Sequence, residues 1–306
     1  MGRSFDLTRR RFMTLSASLP LAACAGTPQM SQPPSGQFIT VSGKRLHYTM
    51  AGEGPPVILL HGASGNFLDW TFGRFDELAK THKVLAFDRP GLGFSDAADD
   101  PSLSSQVALM VEAARQLGME RATVVGHSFG GAVALAWALD APETVNSLML
   151  LSAPSMIWPG SAGRLYDLAN TPVLGFAFSR IVPLLASERR IQQAVDTIFE
   201  PQPMPDGYIE FVRSNLSANP TRYRTNAIQV AQLKPQIEAM VPRYGELSMP
   251  IELIHGTLDT IVPADIHSIP FSNVVPEARL TLLDGIGHMP HHIKPDVFFE
   301  VIRRLT

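Results

Sequence analysis

Short apolar runs rich in β-branched residues alternate with longer stretches of helical periodicity from about residue 37 to the end of the 306-residue chain. That alternation leaves few folds open. It is the pattern of an α/β protein in which helical crossovers join strands of one sheet. Strands are expected near 37–41, 45–51, 57–61, 83–88, 122–127, 147–152, 251–255 and 278–283, and helices near 67–81, 103–117, 130–140, 262–269 and 294–304. Val57-Ile58-Leu59-Leu60 and Ala122-Thr123-Val124-Val125 are apolar or β-branched throughout rather than alternating, which suits strands covered on both faces by helices. The expectation is a mostly parallel central sheet that begins with an antiparallel hairpin turned by Ser42-Gly43-Lys44.

One interval breaks the alternation. Between Ser152 and Ile251 lie about a hundred residues, whereas a strand–helix–strand unit needs only about thirty. The excess predicts an insertion over about 155–235, a lid of short helices drawn from apolar stretches such as 173–185 and 190–199 and broken by Pro201-Gln202-Pro203-Met204-Pro205. The remainder is long enough to bury a core as one large domain, 37–306. Twenty-five Lys and Arg against 28 Asp and Glu give a net charge of −3 with no long basic run, which argues against nucleic acid as a partner. A single cysteine excludes an intrachain disulfide and a Cys-based zinc or iron–sulfur site.

That cysteine closes a distinct N-terminal segment. Arg3, Arg9, Arg10 and Arg11 precede an apolar stretch from Phe12 to Leu21 and the small-residue end Ala22-Ala23-Cys24, the three zones of a signal peptide. The stretch carries Pro20 and is shorter than the roughly 20 residues a membrane-spanning helix needs. Thr8-Arg9-Arg10-Arg11-Phe12-Met13 resembles a twin-arginine export signal, and Leu21-Ala22-Ala23-Cys24 resembles a bacterial lipobox. The resemblance implies cleavage after residue 23, acylation of Cys24, a flexible tether over 24–36 and a lipid-anchored protein of the bacterial cell envelope, on the periplasmic face. Residues 1–23 hold four Arg and one Asp, so cleavage takes the net charge from −3 to −6. Acyl chains add about 0.8 kcal/mol of membrane affinity per buried CH₂. The other reading of Cys24 is a buried apolar residue on a short core helix.

The strongest local signal for chemistry is Gly126-His127-Ser128-Phe129-Gly130-Gly131, which follows an apolar strand and opens the helical run Ala132-Val133-Ala134-Leu135-Ala136-Trp137. Strand, tight turn and helix are what a nucleophile elbow requires: small residues let the backbones approach while Ser128 is held strained with its Oγ exposed. The other reading is a glycine-rich helix start with Ser128 as cap. A serine hydroxyl needs a base and an acid to orient that base. Leu253-Ile254-His255-Gly256-Thr257-Leu258-Asp259 presents Asp259 after a strand, with Asp265 and Asp284 as alternatives. Leu282-Leu283-Asp284-Gly285-Ile286-Gly287-His288 presents His288, with His291 and His292 as rival bases expected at the solvent or the site rim. An oxyanion also needs two backbone N–H groups. Phe129, after the nucleophile, and Ala63, in the loop His61-Gly62-Ala63-Ser64-Gly65-Asn66, are the expected donors, with His61 in a structural role. Ser64, Asn66 and Trp158 are candidate substrate contacts.

With these residues in the order Ser, Asp, His, the chain from about 37 to 306 resembles the α/β-hydrolase fold family, in its branch of lidded esterases, haloperoxidases and carbon–carbon hydrolases. His61-Gly62, Asp88-Arg89-Pro90-Gly91-Leu92-Gly93-Phe94-Ser95, the Ser128 motif, Asp259 and His288 carry the resemblance. It implies that 88–95 is a structural loop. Gly91 and Gly93 lack the third glycine of a dinucleotide fingerprint, and a serine rather than an aspartate at 128 argues against epoxide and haloalkane substrates. No cofactor is expected, and no metal, since 288–292 match metal-ligand spacing poorly. Three functions remain open: hydrolysis of a small, fairly apolar carboxylic ester through an acyl-enzyme on Ser128, hydrolysis of a carbon–carbon bond in a vinylogous diketone by the same triad, and noncatalytic small-molecule binding. The ester reading draws on an apolar lid with Met156, Ile157, Trp158, Leu174, Phe176 and Phe178, side chains expected to pack mainly on the core.

Overall fold

The computed structural model describes residues 35–161, 163–184 and 187–306. The segment 1–23 expected to be an export signal, Cys24, and residues 24–34 of the expected tether lie outside the described residues. All eight expected strands are present: β1 (Gln37–Val41), β2 (Lys44–Ala51), β3 (Pro56–Leu60), β4 (Lys83–Phe87), β5 (Ala122–His127), β6 (Val145–Leu151), β7 (Ile251–Gly256) and β8 (Arg279–Leu283). They form one sheet in the order β1-β2-β4-β3-β5-β6-β7-β8. β1, β2 and β4 pair antiparallel, and every pair from β4 through β3 to β8 is parallel. The hairpin turns through Ser42 and Gly43, both at positive φ.

Because successive side chains of a strand point to opposite faces, the apolar runs divide between two cores. Ile58, Leu60, Val124, Leu148 and Leu150 join helices Leu103–Gln116, Phe129–Asp140 and Leu233–Met240 in one core. Val57, Leu59, Val125, Met149 and Leu151 join Phe67, Trp70, Phe75 and helix Pro295–Leu305 in the other. Burial on both faces is the physical reason these strands do not alternate in polarity.

Two expected helices differ. The stretch 67–81 is two short helices, Leu68–Thr71 and Phe75–Leu78, separated at Gly73, whose φ is +85°. The segment 262–269 is mostly turn, and the helix there is Ser268–Val274. Between β6 and β7 the chain is helical at Arg164–Ala169, Pro172–Leu184, Glu188–Phe199, Tyr208–Phe211, Pro220–Ala231 and Leu233–Met240. The last of these buries Leu233, Ile237 and Met240 in the sheet core, so the inserted layer rejoins the body near residue 233.

Candidate active site

Ser128 lies between β5 and helix Phe129–Asp140 with φ 53° and ψ −126°. A side chain reaches this region only under local strain, and here the neighbouring glycines permit it. A methyl group at 126 would overlap the Gly130 carbonyl, and one at 130 would overlap the carbonyls of Leu60 and His61. The backbone N–H of Ser128 donates to Leu151 on β6 at 2.9 Å, and Ser128 remains partly open to solvent.

Asp259 follows β7 and His288 follows β8, so the carboxyl ends of three parallel strands supply the three groups. His288 Nε2 is 2.9 Å from Ser128 Oγ, and His288 Nδ1 is 2.7 Å from Asp259 Oδ2. With Nδ1–H donating to the carboxylate, Nε2 is left as an acceptor for the serine hydroxyl. Burial acts to raise the Asp259 carboxyl, but hydrogen bonds from His255 and His288 and from the Val262 N–H hold it well below the usual carboxylate range. Asp259 Oδ1 accepts the N–H groups of Ile261 and Val262, each at 2.9 Å. Of the alternatives, Asp265 is exposed and Asp284 accepts the Thr257 hydroxyl at 3.2 Å.

The loop after β3 lies against Ser128: a Cβ placed on Gly62 would be 3.2 Å from Ser128 Cβ. Its orientation is fixed from the buried side. Arg89 Nε donates to the His61 carbonyl at 2.8 Å and Nη2 to the Gly62 carbonyl at 3.0 Å, while His61 Nδ1–H donates to the Gly62 carbonyl at 2.8 Å. In a trans peptide C=O and N–H point in opposite directions. Holding the Gly62 carbonyl toward Arg89 therefore turns the Ala63 N–H the other way. Burial, helped by Arg89, lowers His61 to about 4, so it is neutral, with Nε2 accepting the Arg89 N–H at 3.0 Å. Arg89 is fully buried and lowered to about 9 by burial. Its remaining donors reach Gln106 and Gln229, and its guanidinium lies 4.4 Å from the centre of the Phe129 ring.

Ser64 and Asn66 both make hydrogen bonds within the fold. Ser64 N–H donates to Asn226 Oδ1 at 2.7 Å, Asn226 Nδ2 donates to Ser64 Oγ at 2.9 Å, and the Ser217 hydroxyl donates to the Ser64 carbonyl. The inserted helices are thereby tied to the loop. Asn66 is buried, accepts from Leu68 N–H and donates to the Val212 carbonyl. Trp158 packs against the sheet core and 5.7 Å from the His267 ring. Of the apolar side chains expected on the core, Met156 and Trp158 pack there, whereas Ile157, Leu174 and Phe176 are exposed.

His291 and His292 are buried rather than at a rim. The helix Pro290–Ile293 turns both inward onto Asp69: His292 Nε2 is 2.8 Å from Oδ1 and His291 Nε2 3.5 Å from Oδ2, and the Tyr208 hydroxyl donates to Oδ1 at 2.6 Å. Burial, aided by His292, lowers His291 to about 4. His127, at the end of β5, has its ring centre 4.5 Å from that of His291, with the rings tilted, and donates through Nε2–H to the His288 carbonyl at 2.9 Å. Asp69, His127 and His291 bring atoms capable of metal ligation within 4.8 Å of one another, a grouping that the local spacing of 288–292 did not disclose because Asp69 is more than two hundred residues away. Two neighbours of the triad also went unread in the sequence. His255, on β7, donates through Nε2–H to the Val262 carbonyl at 2.6 Å and lies 3.2 Å from Asp259 Oδ2. Arg89 belongs to the loop 88–95, for which the resemblance implies only a structural role.

A family model described as "alpha/beta hydrolase fold" matches residues 55–295. An uncharacterised protein of Mycobacterium tuberculosis is 30% identical over 89% of this chain and 81% of its own length. A 2-hydroxy-6-oxo-6-phenylhexa-2,4-dienoate hydrolase of Burkholderia cepacia is 26% identical over 88% of this chain and 96% of its own. Among solved structures, a hydrolase from Pseudomonas aeruginosa superposes with a TM-score of 0.71 at 19% identity, covering 90% of this chain and 99% of that one.

Proposed function

Because the chain belongs to the alpha/beta hydrolase fold family, we propose that it is a serine hydrolase that cleaves a small, fairly apolar carboxylic ester through an acyl-enzyme on Ser128. The observation that carries this reading is the unbroken line of hydrogen bonds from Ser128 Oγ through His288 to Asp259, at 2.9 and 2.7 Å. His288 Nε2 takes the hydroxyl proton as Ser128 Oγ attacks the acyl carbon, and Asp259 stabilises the imidazolium. The N–H groups of Ala63 and Phe129 receive the oxyanion. Collapse expels the alcohol, protonated by His288, and water activated by the same nitrogen releases the acid. An ester needs no group beyond these.

Hydrolysis of p-nitrophenyl acetate or butyrate is expected to fall by about 10⁴-fold or more in Ser128→Ala, with loss of labelling by a fluorophosphonate. A wild-type chain that neither hydrolyses these esters nor takes the label would overturn the assignment of Ser128 and leave a binding protein. The names of relatives such as the Burkholderia cepacia hydrolase favour a second reading, cleavage of a carbon–carbon bond in a vinylogous diketone by the same triad. The two separate in one assay: turnover of 2-hydroxy-6-oxo-6-phenylhexa-2,4-dienoate exceeding that of every ester in a panel would replace the ester by the carbon–carbon substrate.

The N-terminal pattern supports export and lipid anchoring at Cys24, on the periplasmic face of a bacterial envelope. Mass analysis of a membrane fraction is expected to find residues 24–306 with Cys24 acylated; a full-length soluble chain in the cytosol would reject this.

A further inference from the structure

The inserted helix Pro172–Leu184 presents an apolar face to solvent. At 3.6 residues per turn, positions 174, 177 and 181 fall in one row and 176 and 180 in the next. Leu174 is 64%, Ile181 54% and Phe176 48% exposed, and Ala177 and Arg180 are exposed beside them. The opposite side holds the buried Gly175 and Ser179 and the half-buried Phe178, where the helix packs against Arg164–Ala169 and Pro220–Ala231. The apolar row is thus not a core face left uncovered by chance, because the helix already has one. Solvent-exposed apolar residues gathered on one face of a helix mark an interaction surface.

Charge identifies the occupant. The Phe176 ring carries the Arg180 guanidinium at 3.9 Å and the Arg224 guanidinium at 5.5 Å, and exposed Arg189 opens the next helix. Residues 155–235 hold eight basic and six acidic side chains, whereas the rest of 24–306 holds 13 basic and 21 acidic. Apolar residues rimmed by cations within an otherwise anionic protein fit an anionic headgroup layer over an acyl layer. Two copies meeting through this face would bring their arginines together.

We propose that the outward face of helix Pro172–Leu184, through Leu174, Phe176 and Ile181, docks onto a lipid surface that carries anionic headgroups, with the exposed Arg180 against the headgroups. The proposal is compatible with the acylated Cys24 proposed above, which would hold the domain near a membrane and let a weak contact suffice. It requires neither acylation nor the ester reading.

Residues Pro34–Thr306 make one compact unit, so a chain starting at Ala25 retains all of it and lacks the acylation site. This chain is to be sedimented with vesicles of phosphatidylethanolamine and phosphatidylglycerol, and with vesicles of phosphatidylcholine alone. About tenfold greater partitioning to the anionic vesicles is expected, lost in the triple variant Leu174→Asp, Phe176→Asp, Ile181→Asp. The same variant is expected to keep wild-type hydrolysis of p-nitrophenyl butyrate in solution and wild-type thermal unfolding, which separates lost docking from lost folding. Ser128→Ala is expected to bind vesicles as wild type does, and a wild-type chain that binds vesicles but hydrolyses no ester would sink the hydrolase reading and leave docking standing. Wild type remaining in the supernatant with both vesicles, or the triple variant sedimenting as wild type does, overturns the proposal. So does a wild-type dimer that the triple variant abolishes while neither binds vesicles, which would assign the face to a second copy.

Discussion

Arg89 is a buried cation that, among the described residues, has no carboxylate in ion-pair contact, and its donors end on two successive carbonyls of the loop after β3, on Gln106 and on Gln229. A desolvated charge without a counter-ion is costly. Its placement beside Phe129 and Gly62 puts positive potential near the two N–H groups proposed to receive an acyl oxyanion. Arg89→Met is expected to lower kcat for a neutral ester by about 100-fold with a smaller change in KM, since the ground-state carbonyl carries little charge. Arg89→Lys, which keeps the charge and loses the two-carbonyl clamp, should recover part of it; equal losses in kcat for both variants would assign Arg89 to geometry alone. The triad was legible in the sequence because each member sits in its own strand–turn motif. His255 and Arg89 were not, since their effect on the site comes from contacts made only after β7 and the 88–95 loop are packed beside it.

At the scale of elements, the eight strands follow from hydrophobic pattern, and the departures have local causes. Gly73 interrupts the helix expected over 67–81. The inserted helices were legible as an excess of length, but which side of each would face the body was not: helix Pro172–Leu184 is apolar nearly all round, so periodicity alone could not assign its buried face. Among the links from this layer to the loop after β3, Asn226 bonds both the N–H and the hydroxyl of Ser64, beside the Ser217 hydroxyl on the Ser64 carbonyl. Asn226→Ala is expected to lower kcat about tenfold through the loosened loop and to speed tryptic cleavage within 155–235. Unchanged cleavage and unchanged kcat would show that Asn226 does not couple the two.

For the whole molecule, all nine histidines are buried. His61 and His291, lowered by burial to about 4, and His267, lowered likewise to about 4, are neutral in the fold. Unfolded, each would titrate near its ordinary 6.5. Between those values the unfolded chain binds more protons, so the stability these residues allow is complete above about pH 6.5 and falls as pH drops toward about 4. The urea midpoint is expected to be clearly lower at about pH 5 than at about pH 7.5; an unchanged midpoint would mean that the three do not stay neutral in the fold. The sequence by itself determined the sheet, the order of the three candidate catalytic groups and the presence of an inserted helical layer, because strand patterning and turn chemistry are properties of neighbours along the chain. Only the tertiary structure decided that Arg89 holds the carbonyls of His61 and Gly62, that His291 and His292 turn inward onto Asp69, and which face of the inserted helix is left to solvent. Each of these depends on groups brought together from distant parts of the chain, and burial, charge and hydrogen bonding there are set by distance in space.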